Sequence, residues 1–196
     1  MIQAPAFFGL LLTLAYVLGA IPFSVMVCRA KGVDLTRVGS GNVGASNVYR
    51  ALGGWYAFLV LFLDIAKGVL PTYLAMQAFA SPVIHVLVGI TTMFGHTCSL
   101  FLGFKGGKGV ATTAGVFAVL TPLPLGIVAA LAVALIAWTR RVSVGTLTAA
   151  VVFPILLYAY DAPVGLVMVV AGVASFIIWR HRGNIRRLMA GTENNI

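Results

Sequence analysis

Long apolar runs separated by short polar segments make up most of the chain. A membrane-spanning helix needs about 20 apolar residues, with a range of roughly 17–25, and most of the runs have that length. The run at 109–139 is longer and contains Pro122 and Pro124, which remove backbone donors and favour a turn. We therefore predict two short central helices there, and single helices at 4–28, 54–80, 82–102, 142–159 and 162–180.

Composition supports a membrane setting, because 61% of the residues are hydrophobic, 9% are charged and the mean hydropathy is +1.05. A soluble domain of 196 residues could not cover so much apolar surface. The expected fold class is an all-α integral membrane protein with seven transmembrane helices. We expect one polytopic domain over residues 1–196.

The formal net charge of +9 would suggest nucleic acid as the partner of a soluble protein. In a membrane protein, basic residues instead mark the cytoplasmic side and meet anionic lipid or phosphate. All 13 basic residues except Lys67 fall on one side of the predicted spans, and the other side carries only Asp161. We expect the amino end outside, the carboxyl end in the cytoplasm and no nucleic-acid partner.

Three polar segments, residues 37–50, 95–112 and 181–193, fall on the predicted cytoplasmic face. Membrane proteins keep irregular polar backbone only where protein or a water-filled cavity covers it. We therefore expect the segments to contribute to one site. The alternative for each segment alone is an ordinary loop or tail whose charges set topology or rest on anionic lipid.

The first segment combines backbone freedom with hydrogen-bonding side chains. Gly39, Gly41 and Gly44 allow the backbone amides to turn inward and form an anion-binding concavity. Arg50 supplies a fork of donors suited to phosphate oxygens. Neutral hydrogen-bonding groups come from Ser40, Asn42, Ser46 and Asn47.

The second segment places Lys108 among Gly106, Gly107 and Gly109 where the fourth helix is predicted to begin. A helix amino terminus offers unpaired amides and partial positive charge, so the arrangement predicts a phosphate cradle. It is not a nucleotide-binding P-loop, because glycine follows the lysine where Ser or Thr would hold magnesium. Lys105 is expected to set topology or to screen the mouth of the site.

The third segment begins with His181 at the membrane boundary, and Asn184 is predicted to cap a short amphipathic helix. Four His, Asp and Lys side chains lie within the predicted spans. His96 is a candidate for a direct role, although a buried histidine often only binds a carbonyl. Asp64 and Lys67, spaced i, i+3, are expected to pair on one helix face. His85 is expected to be structural.

The acidic residues restrict the chemistry. With four Asp and Glu residues in total, a two-carboxylate or two-metal mechanism is excluded, and no His/Cys/Asp group has the spacing of a zinc site. We expect no metal and no cofactor. The remaining features suit a substrate with a phosphate head and a lipid partner.

The stretches "GSGNVGASN", "GHTCSLFLGFKGGKGVAT" and "HRGNIRRLMAGTE" resemble the signature segments of the bacterial acyl-phosphate:glycerol-3-phosphate acyltransferases, the PlsY family. The resemblance covers essentially the whole chain. Ser46 stands where threonine is usual, Tyr49 where an aliphatic residue is common, and "TCS" at 97–99 is less usual. None of these departures removes a charged or glycine position.

The resemblance implies transfer of a fatty acyl group from acyl phosphate to the 1-hydroxyl of glycerol 3-phosphate, giving lysophosphatidate and phosphate. It also implies a bacterial inner (cytoplasmic) membrane location, a cytoplasmic active site, contact with membrane lipid and transient docking of a soluble acyl-phosphate-forming enzyme. The expected catalytic residues are Ser40, Asn42, His181 and Asn184. The expected substrate- and phosphate-binding residues are Gly41, Asn47, Arg50, His96, Lys105, Gly106, Gly107, Lys108 and Gly109.

The mechanism expected from the residues is direct transfer without an acyl-enzyme. Acyltransferases that use soluble donors carry Asp five positions after a catalytic His, but here Phe101 follows His96 at that distance. Two other functions remain possible from the residues alone. An organic-phosphate transporter or exchanger would also need a basic pocket, although the chain shows no convincing internal repeat. A lipid-binding scaffold would not need the glycines around Lys108.

Overall fold

Helices follow one another along the whole described part of the chain. The computed structural model describes residues 3–196, and this range contains no strand. The helices are α1 Gln3–Ala20, α2 Phe23–Arg29, α3 Ala45–Leu52, α4 Gly54–Ala78, α5 Pro82–Thr97, α6 Val110–Leu120, α7 Pro122–Thr139, α8 Val142–Ala159, α9 Val164–Arg180 and α10 Arg182–Met189. Two 3₁₀ turns, Leu35–Arg37 and Leu100–Leu102, lie between them.

Five segments among the described residues are long and apolar enough to cross a membrane. They are Pro5–Arg29, Gly54–Ala78, Pro82–Leu102, Pro122–Thr139 and Val142–Ala159. A sixth arises if α9 and α10, which are bent by 59° at His181, count as one span. The all-helical membrane fold is therefore confirmed, whereas the count of seven spans and the orientation of the termini stay predictions.

Proline divides two of the apolar runs. The predicted break in the run 109–139 lies where expected, because α6 ends at Leu120 and α7 begins at Pro122. Only α6 is short, with 11 residues; α7 has 18, so the prediction of two short helices was wrong for the second. Proline is tolerated in the first turn of a helix, where no intrahelical donor is needed. The run 4–28, predicted as one helix, is broken at Ile21-Pro22.

The chain forms two compact units, the first ending at Leu120 and the second comprising Thr121–Ile196. In the first unit, α1 packs on α5, and α4 packs on α5 and α6. Glycines allow these close approaches, because a Cβ at Gly95 would overlap the Tyr16 carbonyl, and one at Gly68 would overlap the Thr112 carbonyl. Small residues at such crossings bring helix backbones together where lipid provides no hydrophobic drive.

In the second unit, α8 packs against both of its neighbours in the sequence, α7 and α9. Gly145 of α8 lies against the Ala132 carbonyl of α7. The last residues of the chain return to the start of α8, where the Ile196 amide donates to the Arg140 carbonyl over 2.9 Å. This return brings Glu193 back to the helices of its own unit.

Candidate active site

Asn47 organises the first polar segment from inside the fold. Its side chain is fully buried in α3, and its Nδ2 donates to the Leu35 carbonyl (3.1 Å) and the Val38 carbonyl (2.9 Å). Its Oδ1 accepts from the Ser40 amide (3.1 Å) and from Arg50 Nη2 (3.3 Å). Both donors and both lone pairs of the amide are used by the chain itself. Asn47 therefore positions its neighbours, and its contact with substrate stays a prediction.

Ser40 and Arg50, ten residues apart, are brought together. Arg50 Nη2 donates to Ser40 Oγ over 3.3 Å, and both residues are partly buried. Arg50 lies on α3 three residues after Asn47, so the same helix face carries both side chains. The Asn42 amide lies 3.5 Å from Ser40 Oγ, which places Asn42 beside this pair.

The glycines of the first segment allow the chain to turn tightly. Gly39 and Gly41 have φ values of +56° and +67°, which side chains rarely adopt. The Gly41 amide donates to the Val38 carbonyl over 3.0 Å, and the Ser40 amide donates to Asn47. These two amides are used within the segment, and substrate binding by Gly41 stays a prediction.

The second segment closes in a glycine loop, residues 103–109, that lies on the end of α5. The Gly106 amide donates to the Thr97 carbonyl (3.0 Å), and the Gly107 amide donates to the His96 carbonyl (3.2 Å). Carbonyls at a helix carboxyl terminus have no intrahelical partner, so the loop satisfies them. A Cβ at Gly106 would overlap the His96 carbonyl. The two glycines therefore allow close packing on the end of α5, and phosphate binding by Gly106 and Gly107 stays a prediction.

Lys108 lies two residues before α6 begins at Val110 and is partly buried, as the predicted cradle requires. Gly109, with φ +87°, makes the turn into the helix. Lys105 is exposed. The sequence analysis missed Thr112 and Thr113 in the first turn of α6, whose buried hydroxyls have no hydrogen-bond partner among the described residues. The available signal was a pair of adjacent threonines separated from the loop by two residues.

A buried charged cluster lies in the first unit. Lys67 Nζ is 2.8 Å from Asp64 Oδ1, which confirms the predicted i, i+3 pair, and the two side chains are 2% and 4% exposed. His96 Nδ1 is 3.7 Å from the same carboxylate oxygen. His85, by contrast, contacts the Phe79 carbonyl through Nε2 at 2.7 Å, consistent with the structural role predicted for it.

Glu193 organises the third polar segment, and the sequence analysis missed its role. Its Oε1 accepts from Asn184 Nδ2 and from Ser143 Oγ (2.8 Å), and its Oε2 accepts from Arg187 Nε (2.7 Å). Although burial acts to raise the pKa of Glu193, these hydrogen bonds outweigh it and hold the pKa below its ordinary value. The available signal was that the only Glu of the chain ends this segment.

Asn184 and His181 are both buried in the second unit. Asn184 is the third residue of α10 and bonds Glu193, so the prediction that it caps a helix was wrong. His181 lies at the bend between α9 and α10, with Nδ1 2.8 Å from the Ile177 carbonyl. Within residues 3–196, no group of three His, Cys, Asp or Glu side chains is placed to hold a metal ion.

A family model described as "Glycerol-3-phosphate acyltransferase" matches residues 9–191. The chain belongs to this family. It is therefore an acyltransferase of the membrane, and the predicted resemblance is confirmed. The alternatives of a transporter and of a lipid-binding scaffold do not fit a member of the glycerol-3-phosphate acyltransferase family.

Relatives of the same name span nearly the whole chain. The glycerol-3-phosphate acyltransferase of Geobacter sulfurreducens is 42% identical over 186 residues, covering 94% of this chain and 95% of the relative. Glycerol-3-phosphate acyltransferase 1 of Deinococcus radiodurans is 44% identical over 188 residues, covering 95% of this chain and 94% of the relative.

Two crystal structures of PlsY (YgiH), an integral membrane glycerol 3-phosphate acyltransferase, share this fold. The glycerol 3-phosphate form has a TM-score of 0.92 and 39% identity, covering 96% of this chain and 95% of that one. The lysophosphatidic acid form has a TM-score of 0.89 and 38% identity over the same shares.

Proposed function

We propose that this member of the family transfers a fatty acyl group from acyl phosphate to the 1-hydroxyl of glycerol 3-phosphate. The products are 1-acylglycerol 3-phosphate (lysophosphatidate) and inorganic phosphate, and the reaction serves phospholipid synthesis. The main support is the likeness to PlsY, at a TM-score of 0.92 and 39% identity, in a form that holds glycerol 3-phosphate. The acyl-phosphate donor is proposed from the three signature segments quoted above.

The transfer is direct. The glycerol hydroxyl oxygen bonds to the acyl carbonyl carbon, the bond from that carbon to the phosphate oxygen breaks, and the hydroxyl proton passes to a substrate phosphate. The contacts of Ser40 support this route, because its Oγ accepts from Arg50 and lies near the Asn42 amide, both of which are donors. A nucleophilic serine needs a base that takes its proton. Ser40 therefore orients a substrate and does not form an acyl-enzyme.

Arg50 and Lys108 are the phosphate-binding side chains in this proposal. Arg50 offers a planar fork of donors, and Lys108 adds a point charge close to the amino terminus of α6. Positioned donors and charges of this kind stabilise the oxyanion that develops as the hydroxyl attacks. The remaining catalytic assignments are Ser40 and Asn42 in the first unit, and His181 and Asn184 in the second.

The membrane arrangement is also a proposal. The chain forms one polytopic domain of seven spans with its amino end outside, α6 being the short additional span. It lies in the bacterial cytoplasmic membrane with its active site on the cytoplasmic side, where a soluble acyl-phosphate-forming enzyme docks transiently. The supporting observation is the placement of all basic residues except Lys67 on one side of these spans.

The deciding experiment incubates the detergent-purified protein with acyl phosphate and glycerol 3-phosphate. We expect lysophosphatidate and inorganic phosphate in equal amounts, because each transfer cleaves one acyl–phosphate bond. An acyl thioester is the control donor and should give no product. Product from the thioester but not from acyl phosphate would overturn the proposed donor. Covalent acyl-Ser40, trapped and identified by mass spectrometry, would overturn direct transfer.

A further inference from the structure

A buried ion pair in the middle of α4 has contacts that lead out of that helix. Asp64 and Lys67 are almost completely buried and 2.8 Å apart. Burying two charges costs about as much as their attraction returns, so such a pair contributes little net stability. Ionisable side chains within membrane helices are functional candidates. The contacts of this pair therefore indicate more than helix packing.

Lys67 connects α4 to the break between α1 and α2. Its Nζ donates to the Ile21 carbonyl over 3.1 Å and lies 5.6 Å from the centre of the Phe23 ring. The carbonyl of Ile21 belongs to the two residues that separate α1 from α2. The ammonium thus has a carboxylate, a carbonyl and an aromatic face around it, which fixes its position and that of Asp64.

Asp64 connects α4 to His96, and His96 connects it to the glycine loop. His96 Nδ1 is 3.7 Å from Asp64 Oδ1. On the other edge of the ring, Nε2 lies so close to Gly107 that a Cβ there would overlap it. The Gly107 amide also donates to the His96 carbonyl over 3.2 Å. The imidazole therefore lies between the Asp64 carboxylate and the backbone of the loop.

A small cavity of about 10 Å³ joins these groups. Its lining includes Asp64, Lys67, His96, Ser99 and Gly107. Ser99 Oγ donates to the Ala20 carbonyl, which connects the residue before the 3₁₀ turn Leu100–Leu102 to the end of α1. The cluster and the loop are thus packed as one polar body within the first unit.

We propose that Asp64, Lys67 and His96 form a positioning cluster that fixes Gly107 and thereby the adjacent Lys108. In this proposal the cluster acts through the loop, so His96 is a positioning residue. Its effect on the reaction rests on the proposed function, in which Lys108 holds a substrate phosphate. A misplacement of about 1 Å in such a group can cost on the order of 10²-fold in rate, so the rigidity of the loop matters to catalysis.

The first test compares His96→Ala with His85→Ala, which removes the other histidine of the same helix. We expect His96→Ala to raise KM for at least one phosphate substrate by about 10-fold, with a smaller change in kcat, because ground-state phosphate binding is lost. His85→Ala should leave KM unchanged. Hydrogen exchange of the Gly106 and Gly107 amides should accelerate in His96→Ala only.

A second test uses the two edges of the ring. His96→Gln keeps an amide near the Nε2 position, so its KM and its slow hydrogen exchange should be close to those of the unaltered protein. His96→Asn keeps only the edge that faces Asp64, so it should recover less of both. These variants keep a polar side chain, so they also serve if His96→Ala does not fold. Equal KM and equal exchange in the Gln and Asn variants would overturn the assignment of the Nε2 edge.

A third test measures coupling between His96 and Gly107. Gly107→Ala should be strongly impaired because its Cβ meets Nε2, and adding His96→Ala should recover part of the loss because the ring is gone. Additive effects would overturn the contact.

If the unaltered protein transfers no acyl group, the proposed function fails, yet hydrogen exchange still tests the cluster. If the protein is active but His96→Ala matches His85→Ala in KM and exchange, the positioning proposal fails alone.

Discussion

Asn47 in the first unit and Glu193 in the second are both buried side chains that accept hydrogen bonds from predicted site residues. Asn47 faces a mixed set of partners: the carbonyls of Leu35 and Val38 need donors, and the groups of Ser40 and Arg50 need an acceptor. Among side chains, only an amide can donate two hydrogen bonds and accept two at the same time.

Glu193 faces donors alone, namely Ser143, Asn184 and Arg187. A carboxylate offers acceptor sites without a donor that would remain unsatisfied, and its charge strengthens each bond. Whether the organising side chain is neutral or charged therefore depends more on the donors and acceptors around it than on its role in the site.

The largest expected effect is on activity, and it distinguishes Arg50, which bonds Asn47, from Arg187, which bonds Glu193. Arg50→Ala should lower kcat/KM by about 10³-fold, or about 4 kcal/mol, because a phosphate-binding fork is lost. Arg187→Ala is the matched control: its side chain is 34% exposed and pairs with Glu193, so we expect a loss of less than about 10-fold. Steady-state kinetics measures both. Equal losses would show that the two arginines have equivalent roles.

The next largest effect is expected on stability, when the Asn47 amide is replaced by a carboxylate, the group that Glu193 carries. Asn47→Asp keeps the size of the side chain but removes both donors, leaving the Leu35 and Val38 carbonyls facing a carboxylate. We expect a destabilisation of about 3 kcal/mol, since buried polar groups without partners cost about 1–3 kcal/mol each. Thermal unfolding in detergent measures it, with Asn42→Asp, at a partly buried position, as the control. An unchanged unfolding temperature would refute the organising role of Asn47.

The reverse replacement, of the Glu193 carboxylate by an amide, should destabilise the protein less. Glu193→Gln keeps an oxygen that accepts from Asn184 and Ser143, but its amide group faces Arg187 and the charge is lost. We expect a destabilisation of about 2 kcal/mol, since a hydrogen bond to a charged group contributes about 1.5–3 kcal/mol. The same unfolding assay measures it. A Gln variant as stable as the unaltered protein would mean that the charge of Glu193 is dispensable.

The smallest effect is on pH dependence. The pKa of Glu193 is lowered by its three hydrogen bonds, so its contribution is complete above the ordinary Glu pKa of about 4.3 and is lost as the pH falls through the lower folded-state value. The stability difference between the unaltered protein and Glu193→Gln should therefore shrink below about pH 4.3. Bonds made by Asn47 carry no such dependence. A stability difference between the two proteins that stays constant down to acid pH would contradict a stabilising role of the ionised Glu193 carboxylate.

Local patterns in the chain were sufficient for several features of the fold and site. The apolar runs predicted the membrane helices, Pro122 marked the break between α6 and α7, and the i, i+3 spacing predicted the Asp64–Lys67 pair. Each depends on residues that are close in the chain, where helix geometry alone fixes the neighbours. The position of Lys108 just before a helix belongs to the same class.

The features that the sequence did not predict are hydrogen bonds between distant residues or between a loop and the helix before it. Glycine composition indicated backbone amides that could face an anion, but the amides of Gly106 and Gly107 donate to the end of α5. The asparagine in "GASN" resembled a ligand-binding group until its partners at Leu35 and Val38 were located. Composition shows which donors a segment contains and cannot show where they point.

The sequence by itself determined that the chain spans a membrane with helices, that it carries three polar segments and that its chemistry concerns phosphate. The buried polar residues that organise their neighbours became evident only from the way the helices pack. Ser143 meets Glu193 across 50 positions of sequence, and His96 lies between Asp64 and Gly107. Hydropathy and helix periodicity are local properties of the chain. The partners of a buried polar group depend on how helices pack, which no local pattern encodes.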